Sequence, residues 1–143
     1  MASYKEKLMS EYIIYEYQTQ ILEHHLDTFG HVNNAKYLEL YEEARWDIIH
    51  HRGYGITDIQ KSKEGPVVLE VTCRFKAELK CRELVTITSQ AIDVKSKISQ
   101  MKQVMTKEDG TIACEAIFTF GYMDLAKRRL IEQPEKWLKA LGK

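Results

Sequence analysis

Little in this chain marks it for export or for covalent cross-linking. Its 143 residues include three cysteines, Cys73, Cys81 and Cys114. They form neither an even set nor a C-x-x-C pair, so no disulfide framework is implied and all three read as reduced thiols of a cytoplasmic protein. No apolar run approaches the ~20 residues of a membrane span, and the opening MASYKEKLMSEY lacks the apolar core of a secretory leader. Neither a membrane nor an export route is expected. Net charge is also missing, with 21 Lys and Arg against 21 Asp and Glu. Bulk attraction to nucleic acid is therefore unsupported, and any anionic ligand must find a local basic cluster. There is no internal repeat and no low-complexity or linker-like stretch, so residues 1–143 read as a single domain. No G-x-S-x-G elbow occurs, which excludes the serine-hydrolase route to ester chemistry.

What is present is an ordinary globular composition, 44% hydrophobic and 29% charged, at a length that buries about two thirds of the unfolded chain's surface. Only two prolines and seven glycines punctuate the pattern. From Glu11 to Leu26, Tyr, Ile and Thr favour a strand, and Asp27 to Val32, centred on Gly30, breaks it. From Asn34 to Arg52 apolar residues recur every three or four positions, at Leu38, Tyr41, Ala44 and Ile48, widened by Tyr37, Leu40 and Trp46. Asn33 suits the N-cap and Gly53 the residue after the last turn. Such a helix runs roughly 28 Å and is apolar over more than one face, so it needs wrapping.

The wrapping follows. After Pro66, Val67, Leu69, Val71, Cys73, Phe75 and Ala77 alternate with mostly polar neighbours as far as Glu78, a strand signal. Two more strands run over Glu83 to Asp93 and Lys97 to Lys107, with a turn near Val94–Ser96. Asp109-Gly110 suits a hairpin turn into a strand from Thr111 to Met123. A short helix, Glu135 to Leu141, follows Gln133-Pro134. The expected fold is α+β, a curved antiparallel sheet of about five strands wrapped around one long central helix.

The stretch from His25 to Arg45 carries the chemistry. Asp27 sits at a strand exit, just before the helix whose first backbone N–H groups have no intrahelical partner. Those donors, backed by the positive end of the helix dipole, can polarise a carbonyl. A carboxylate facing that carbonyl can attack it or activate a water while the helix end holds the oxyanion. Acyl transfer is the reaction class this suits. The plainer reading of Asp27 and Asn33-Asn34 is cap and turn chemistry.

The motif Asp27-x-x-Gly30-His31-Val32-Asn33-Asn34-Ala35-x-Tyr37-Leu38-Glu39, continuing through Glu42-Glu43-Ala44-Arg45-Trp46-Asp47, resembles the acyl-coenzyme A thioesterases of the 4-hydroxybenzoyl-coenzyme A thioesterase branch of the hotdog superfamily. It is most similar to their bacterial long-chain acyl-CoA thioesterase III group. The segments Leu84–Gln90 and Ala116–Leu125 are similar too, so the resemblance covers nearly the whole chain. It implies a hotdog fold, long-chain acyl-CoA as the small-molecule substrate, no cofactor, and a homodimer or homotetramer with the site at the subunit boundary. It implies further that Asp27 is the catalytic carboxylate, as nucleophile or general base, and that the backbone N–H of Asn34 holds the thioester oxygen. His31 matches a histidine given a catalytic role in the plant acyl-carrier-protein thioesterases, but Phe29 stands where their motif has its first Asn, so that mechanism does not carry over intact. Gly30 and Asn33 shape the loop at the substrate, and Tyr37 either lines an acyl pocket or packs the core.

Other candidates are weaker. The doublets His24-His25 and His50-His51 point their rings in different directions and cannot share one ion, so no metal is expected. Glu42 and Glu43 lie on the helix where another hotdog branch keeps its base, but a solvated face is the plainer reading. Cys73 and Cys114 fall at inward strand positions, where a buried thiol is the default. Arg74, Lys76, Lys80 and Arg82, and separately Lys95, Lys97 and Lys102, are the local cations for the phosphates of coenzyme A; of these Arg74, Lys76 and Arg82 are taken as binding residues. An apolar slot near Tyr37, Leu38 and Tyr41 would take the acyl tail. Three other readings stay open: an acyl-carrier-protein thioesterase, a hotdog dehydratase (though His31 is followed by Val-Asn-Asn rather than Phe-Pro), and an acyl-binding protein without activity.

Overall fold

The structure, a computed structural model, describes residues 12–143. β1 (Tyr15–Gln20) leads through a 3-10 turn (Glu23–His25) to the central helix α1 (Asn34–His51) and a short α2 (Ile56–Ser62). Four long strands follow: β2 (Glu64–Phe75), β3 (Leu84–Val94), β4 (Ile98–Lys107) and β5 (Ile112–Asp124). A two-residue β6 (Arg129–Leu130) and α3 (Glu135–Ala140) end the chain. The strands form one antiparallel sheet in the order β1-β3-β4-β5-β2, with β6 on the end of β5. Sheet and helix make the expected hotdog arrangement. No helix among the described residues is long and apolar enough to cross a membrane.

The first expected strand is shorter than the composition suggested. Glu11 lies outside the described residues, and of the rest only Tyr15–Gln20 pairs in the sheet. The chain then turns through Glu23–His25, because the Nδ1 of buried His25 accepts the Leu22 N–H at 2.9 Å and draws the backbone round. α2 was not foreseen. Its apolar residues are too few to set a period, and it stands on the Gly55 N–H donating to Asp58 at 2.8 Å and on Lys63 in a left-handed C-cap.

α1 lies across the concave face with Leu40, Tyr41, Ala44, Ile48 and Ile49 buried. Its rings mesh with the sheet: Tyr37 meets Phe75 edge-on at 5.0 Å and Tyr41 meets Phe118 at 5.8 Å. Arg45 is drawn in with them. Its guanidinium lies 4.2 Å over Phe118 and donates at 3.0 Å to Gln103, a fully buried side chain that in turn donates to the Tyr41 carbonyl and the Ser89 hydroxyl. Burial lowers the guanidinium pKa to about 10. At the far end α3 closes the sheet, with Trp137 packed on Tyr54 and Tyr122.

β2 departs from the simple alternation. Its register with β5 slips between Val68 and Glu70, leaving Leu69 as a β-bulge. Past the bulge Val71, Cys73 and Phe75 face the helix, opposite Phe118, Ala116 and Cys114. Before it the helix side is taken by Val68, opposite Phe120, so Val67 and Leu69 do not share a face with the rest as the sequence suggested. Gly121 gives the reason: a Cβ there would meet Leu130 at 2.5 Å and Leu69 at 3.0 Å. The Leu69 side chain occupies the space that a larger residue at 121 would need. The inward thiols of Cys73 and Cys114 end 3.4 Å apart.

Candidate active site

The loop between β1 and α1 is held by its own polar groups. The Asp27 carboxylate accepts through one oxygen, Oδ1, from the Phe29 N–H at 2.8 Å and the His31 N–H at 3.2 Å. The Asp27 N–H donates to the His31 carbonyl at 2.8 Å, and Gly30 makes the turn with φ of +80°, a conformation glycine adopts without steric cost. Val32 is buried and pairs with Leu26 in a single bridge. The plain reading of Asp27 as a turn residue is thus true of Oδ1. The second carboxylate oxygen has no protein partner among the described residues.

Asn33 then caps α1, its side chain accepting from the Ala35 N–H at 2.9 Å; its carbonyl takes the Lys36 N–H at 2.9 Å, and its own N–H donates to the His25 carbonyl at 2.9 Å. Among the described residues these bonds leave the Asn34 N–H without a protein acceptor, at the positive end of the helix dipole. The sheet side of the site comes from the end of β2 and the residues after it. Tyr37 is buried, and desolvation raises its hydroxyl above the ordinary tyrosine value against the opposing Leu79 backbone.

A cavity of about 440 Å³ opens between these parts, lined by Asp27, His31, Asn33, Asn34, Tyr37 and Lys76, with Val32, Phe75, Ala77 and Glu78 completing the wall. The structure therefore brings together six of the residues singled out from sequence. Gly30 turns the loop behind them without lining the cavity. Arg74 falls on the outward face of β2, opposite Glu115. Arg82 lies at the turn before β3, where it pairs with Glu23 rather than facing the cavity. Glu42 and Glu43 are also elsewhere: Glu42 lines a separate pocket of about 120 Å³ beside Arg45 and Trp46, and Glu43 accepts the Tyr17 hydroxyl at 2.9 Å. Glu78, whose carboxylate lies 2.5 Å from His31 Nε2, was not anticipated. Nothing in its local sequence separates it from any other charged residue at a strand exit.

Among the described residues a free carboxylate oxygen and a free helix-start amide share one cavity, an arrangement whose chemistry suits polarising and attacking an acyl carbonyl. Residues 22–141 match the family model described as the thioesterase-like superfamily. The chain belongs to that superfamily. This thioesterase is 32% identical over 115 residues, 80% of its own length and 86% of the relative's, to the long-chain acyl-CoA thioesterase FadM of Escherichia coli K12. Among solved structures it is similar to YbaW, a probable thioesterase from Escherichia coli, at 30% identity and a TM-score of 0.78 over 90% of this chain and 98% of that one. It also shares its fold with SAV2348 of Staphylococcus aureus, solved in complex with CoA, at a TM-score of 0.84 and 19% identity over 90% of this chain and 82% of that one.

Proposed function

We propose that this thioesterase hydrolyses long-chain acyl-CoA to the free acid and coenzyme A, with Asp27 as nucleophile or general base and the Asn34 N–H as the oxyanion donor. The observation that carries the reading is the pairing of a free Asp27 oxygen with an unengaged Asn34 amide on one open cavity. The thioester carbonyl enters with its oxygen toward Asn34. As charge moves onto that oxygen the amide's hydrogen bond strengthens, which is the differential binding that catalysis requires. The free oxygen of Asp27 either attacks the carbonyl carbon, giving a mixed anhydride that water then opens, or takes a proton from the water that attacks. Coenzyme A leaves as the thiolate in both cases.

The acyl chain has a path. Beyond Tyr37 and Phe75 the exposed apolar side chains of Leu38, Val71 and Val68 lie between the cavity and a separate pocket lined by Val68, Trp46, Ile49 and Met101, and an acyl tail laid along α1 would cover them and end in that pocket. Asn34 to Trp46 spans about 18 Å of helix. At roughly 1.3 Å per methylene, from C–C bonds of about 1.5 Å at tetrahedral angles, that is room for about fourteen carbons. Tyr41, assigned to this slot from sequence, is fully buried beneath it and packs the core. Lys76 stands at the cavity wall and Arg74 two residues away on β2, and both are assigned to the phosphates of coenzyme A.

β2 ends the sheet with an open edge and exposes Val68, Leu69, Val71 and Phe75. An apolar, unpaired edge is a template for another strand, and pairing of two β2 strands in a homodimer would roof that path. Turnover measured with acyl-CoA from short to long chains, an aryl-CoA and a long acyl chain on acyl-carrier protein tests the substrate. Long acyl-CoA should be cleaved fastest. A preference for the aryl or carrier-borne thioester would refute the assignment.

A further inference from the structure

The loop that carries Asp27 has few apolar anchors. Phe29 is 83% exposed and Gly30 has a left-handed backbone. Beyond the loop's own hydrogen bonds, its outside support comes from the segment after β2. Leu79 is fully buried, and its carbonyl faces the Val32 N–H at 3.4 Å. Just before it, the amides of Lys76 and Ala77 both donate to the Ala113 carbonyl, at 2.8 and 3.1 Å. Glu78 is therefore presented by a stretch of chain tied down on both sides, and its carboxylate reaches His31 Nε2 at 2.5 Å.

The nearby cations do not compete for that carboxylate. Lys76 is paired with Glu115 at 3.1 Å, and Lys107 with Glu83 at 3.0 Å, touching Glu78 only at its backbone carbonyl. His31 in turn joins Asp27 twice through its backbone: its N–H donates to Oδ1 and its carbonyl accepts the Asp27 N–H. A line of contacts thus runs from the Glu78 carboxylate to the His31 imidazole, and on through the His31 backbone hydrogen bonds to Asp27, all on the wall of one cavity.

We propose that Glu78 is a positioning residue for the hydrolysis proposed above, a role that rests on that reading. By holding the imidazole it fixes the backbone of His31, and with it the amide that sets which Asp27 oxygen is spent on the turn and which is aimed at the thioester. A contact this close between a carboxylate and an imidazole, both about half exposed, restrains the ring when it is charge-assisted. A small displacement of a reacting group is costly, since a shift of about 1 Å lowers a rate by about 100-fold. Released from Glu78, the exposed loop samples more positions and only a fraction of them aim Asp27.

The test compares Glu78→Gln, Glu78→Asp, His31→Gln and the double variant Glu78→Gln/His31→Gln with wild type on a long-chain acyl-CoA. Glu78→Gln should lower kcat about 10-fold with KM within about twofold and the melting temperature unchanged, while Glu78→Asp, which keeps the charge, recovers most of the rate. Because Glu78 acts through His31, adding Glu78→Gln to His31→Gln should change kcat less than twofold. The His31 Nε2 proton, shifted downfield in the NMR spectrum by so short a contact, should lose that shift in Glu78→Gln. Wild-type kcat in Glu78→Gln, or losses that multiply in the double variant, would overturn the role and leave the hydrolase reading standing. A wild type inactive on every thioester would overturn both.

Discussion

Replacing Asp27 by asparagine separates the two jobs this residue holds. Oδ1 accepts two backbone N–H groups, from Phe29 and His31, and the amide oxygen of asparagine can accept both. Only the charge is lost from those bonds. A bond to an ionised group is worth about 1.5–3 kcal/mol against about 1 for a neutral one, and the loop is well solvated, so Asp27→Asn should cost about 1 kcal/mol of stability, roughly 3 °C in melting temperature. Catalysis should suffer far more. The free oxygen becomes an amide NH2, which neither attacks a thioester nor accepts a proton from water. A fall in kcat of at least about 100-fold follows, about 2.7 kcal/mol in barrier. The assay follows thiol release from a long-chain acyl-CoA with a colorimetric thiol reagent, beside a thermal melt of the same preparation. A variant that melts within a few degrees of wild type and keeps its kcat within threefold would refute the reasoning, leaving Asp27 as a turn residue alone.

Two further predictions concern the scaffold. Gln103 is fully buried and binds Arg45, Ser89 and the Tyr41 carbonyl, so Gln103→Leu strands one donor, the Arg45 guanidinium, and two acceptors, the Tyr41 carbonyl and the Ser89 hydroxyl, and should cost about 3 kcal/mol; a denaturant midpoint equal to wild type would show that the network contributes nothing. Alkaline pH should weaken the fold. Burial pushes the Cys114 thiol up to about 12 from an ordinary value near 9 and raises the Tyr41, Tyr54 and Tyr122 hydroxyls above 10. The folded state holds these protons more tightly than the unfolded chain, so their contribution is complete below about pH 9 and is lost as pH rises toward 12. Urea unfolding at pH 8 and pH 10.5 should give a lower midpoint at the higher pH, and a higher one would contradict the assignment.

Local regularities were legible in the residues themselves. Asn33 as the cap of the long helix, Gly53 after its end and Asp109-Gly110 as the turn into β5 all follow from backbone preferences that act over a few residues. The strands expected over Glu83 to Asp93 and Lys97 to Lys107 fall within one residue of β3 and β4. The approach of Asp27 to Asn34 was legible too, because a short loop confines both ends. What crosses the fold was not. The bulge at Leu69 depends on Gly121 and Leu130, which reach it only once β5 and β6 have paired. The pairing of Arg82 with Glu23 and the outward face taken by Arg74 were decided by which strand each basic residue ended beside. Glu78 meets His31 because buried Leu79 brings the exit of β2 against the loop. Sequence periodicity states which face a residue takes, while tertiary packing alone decides which distant residue shares that face.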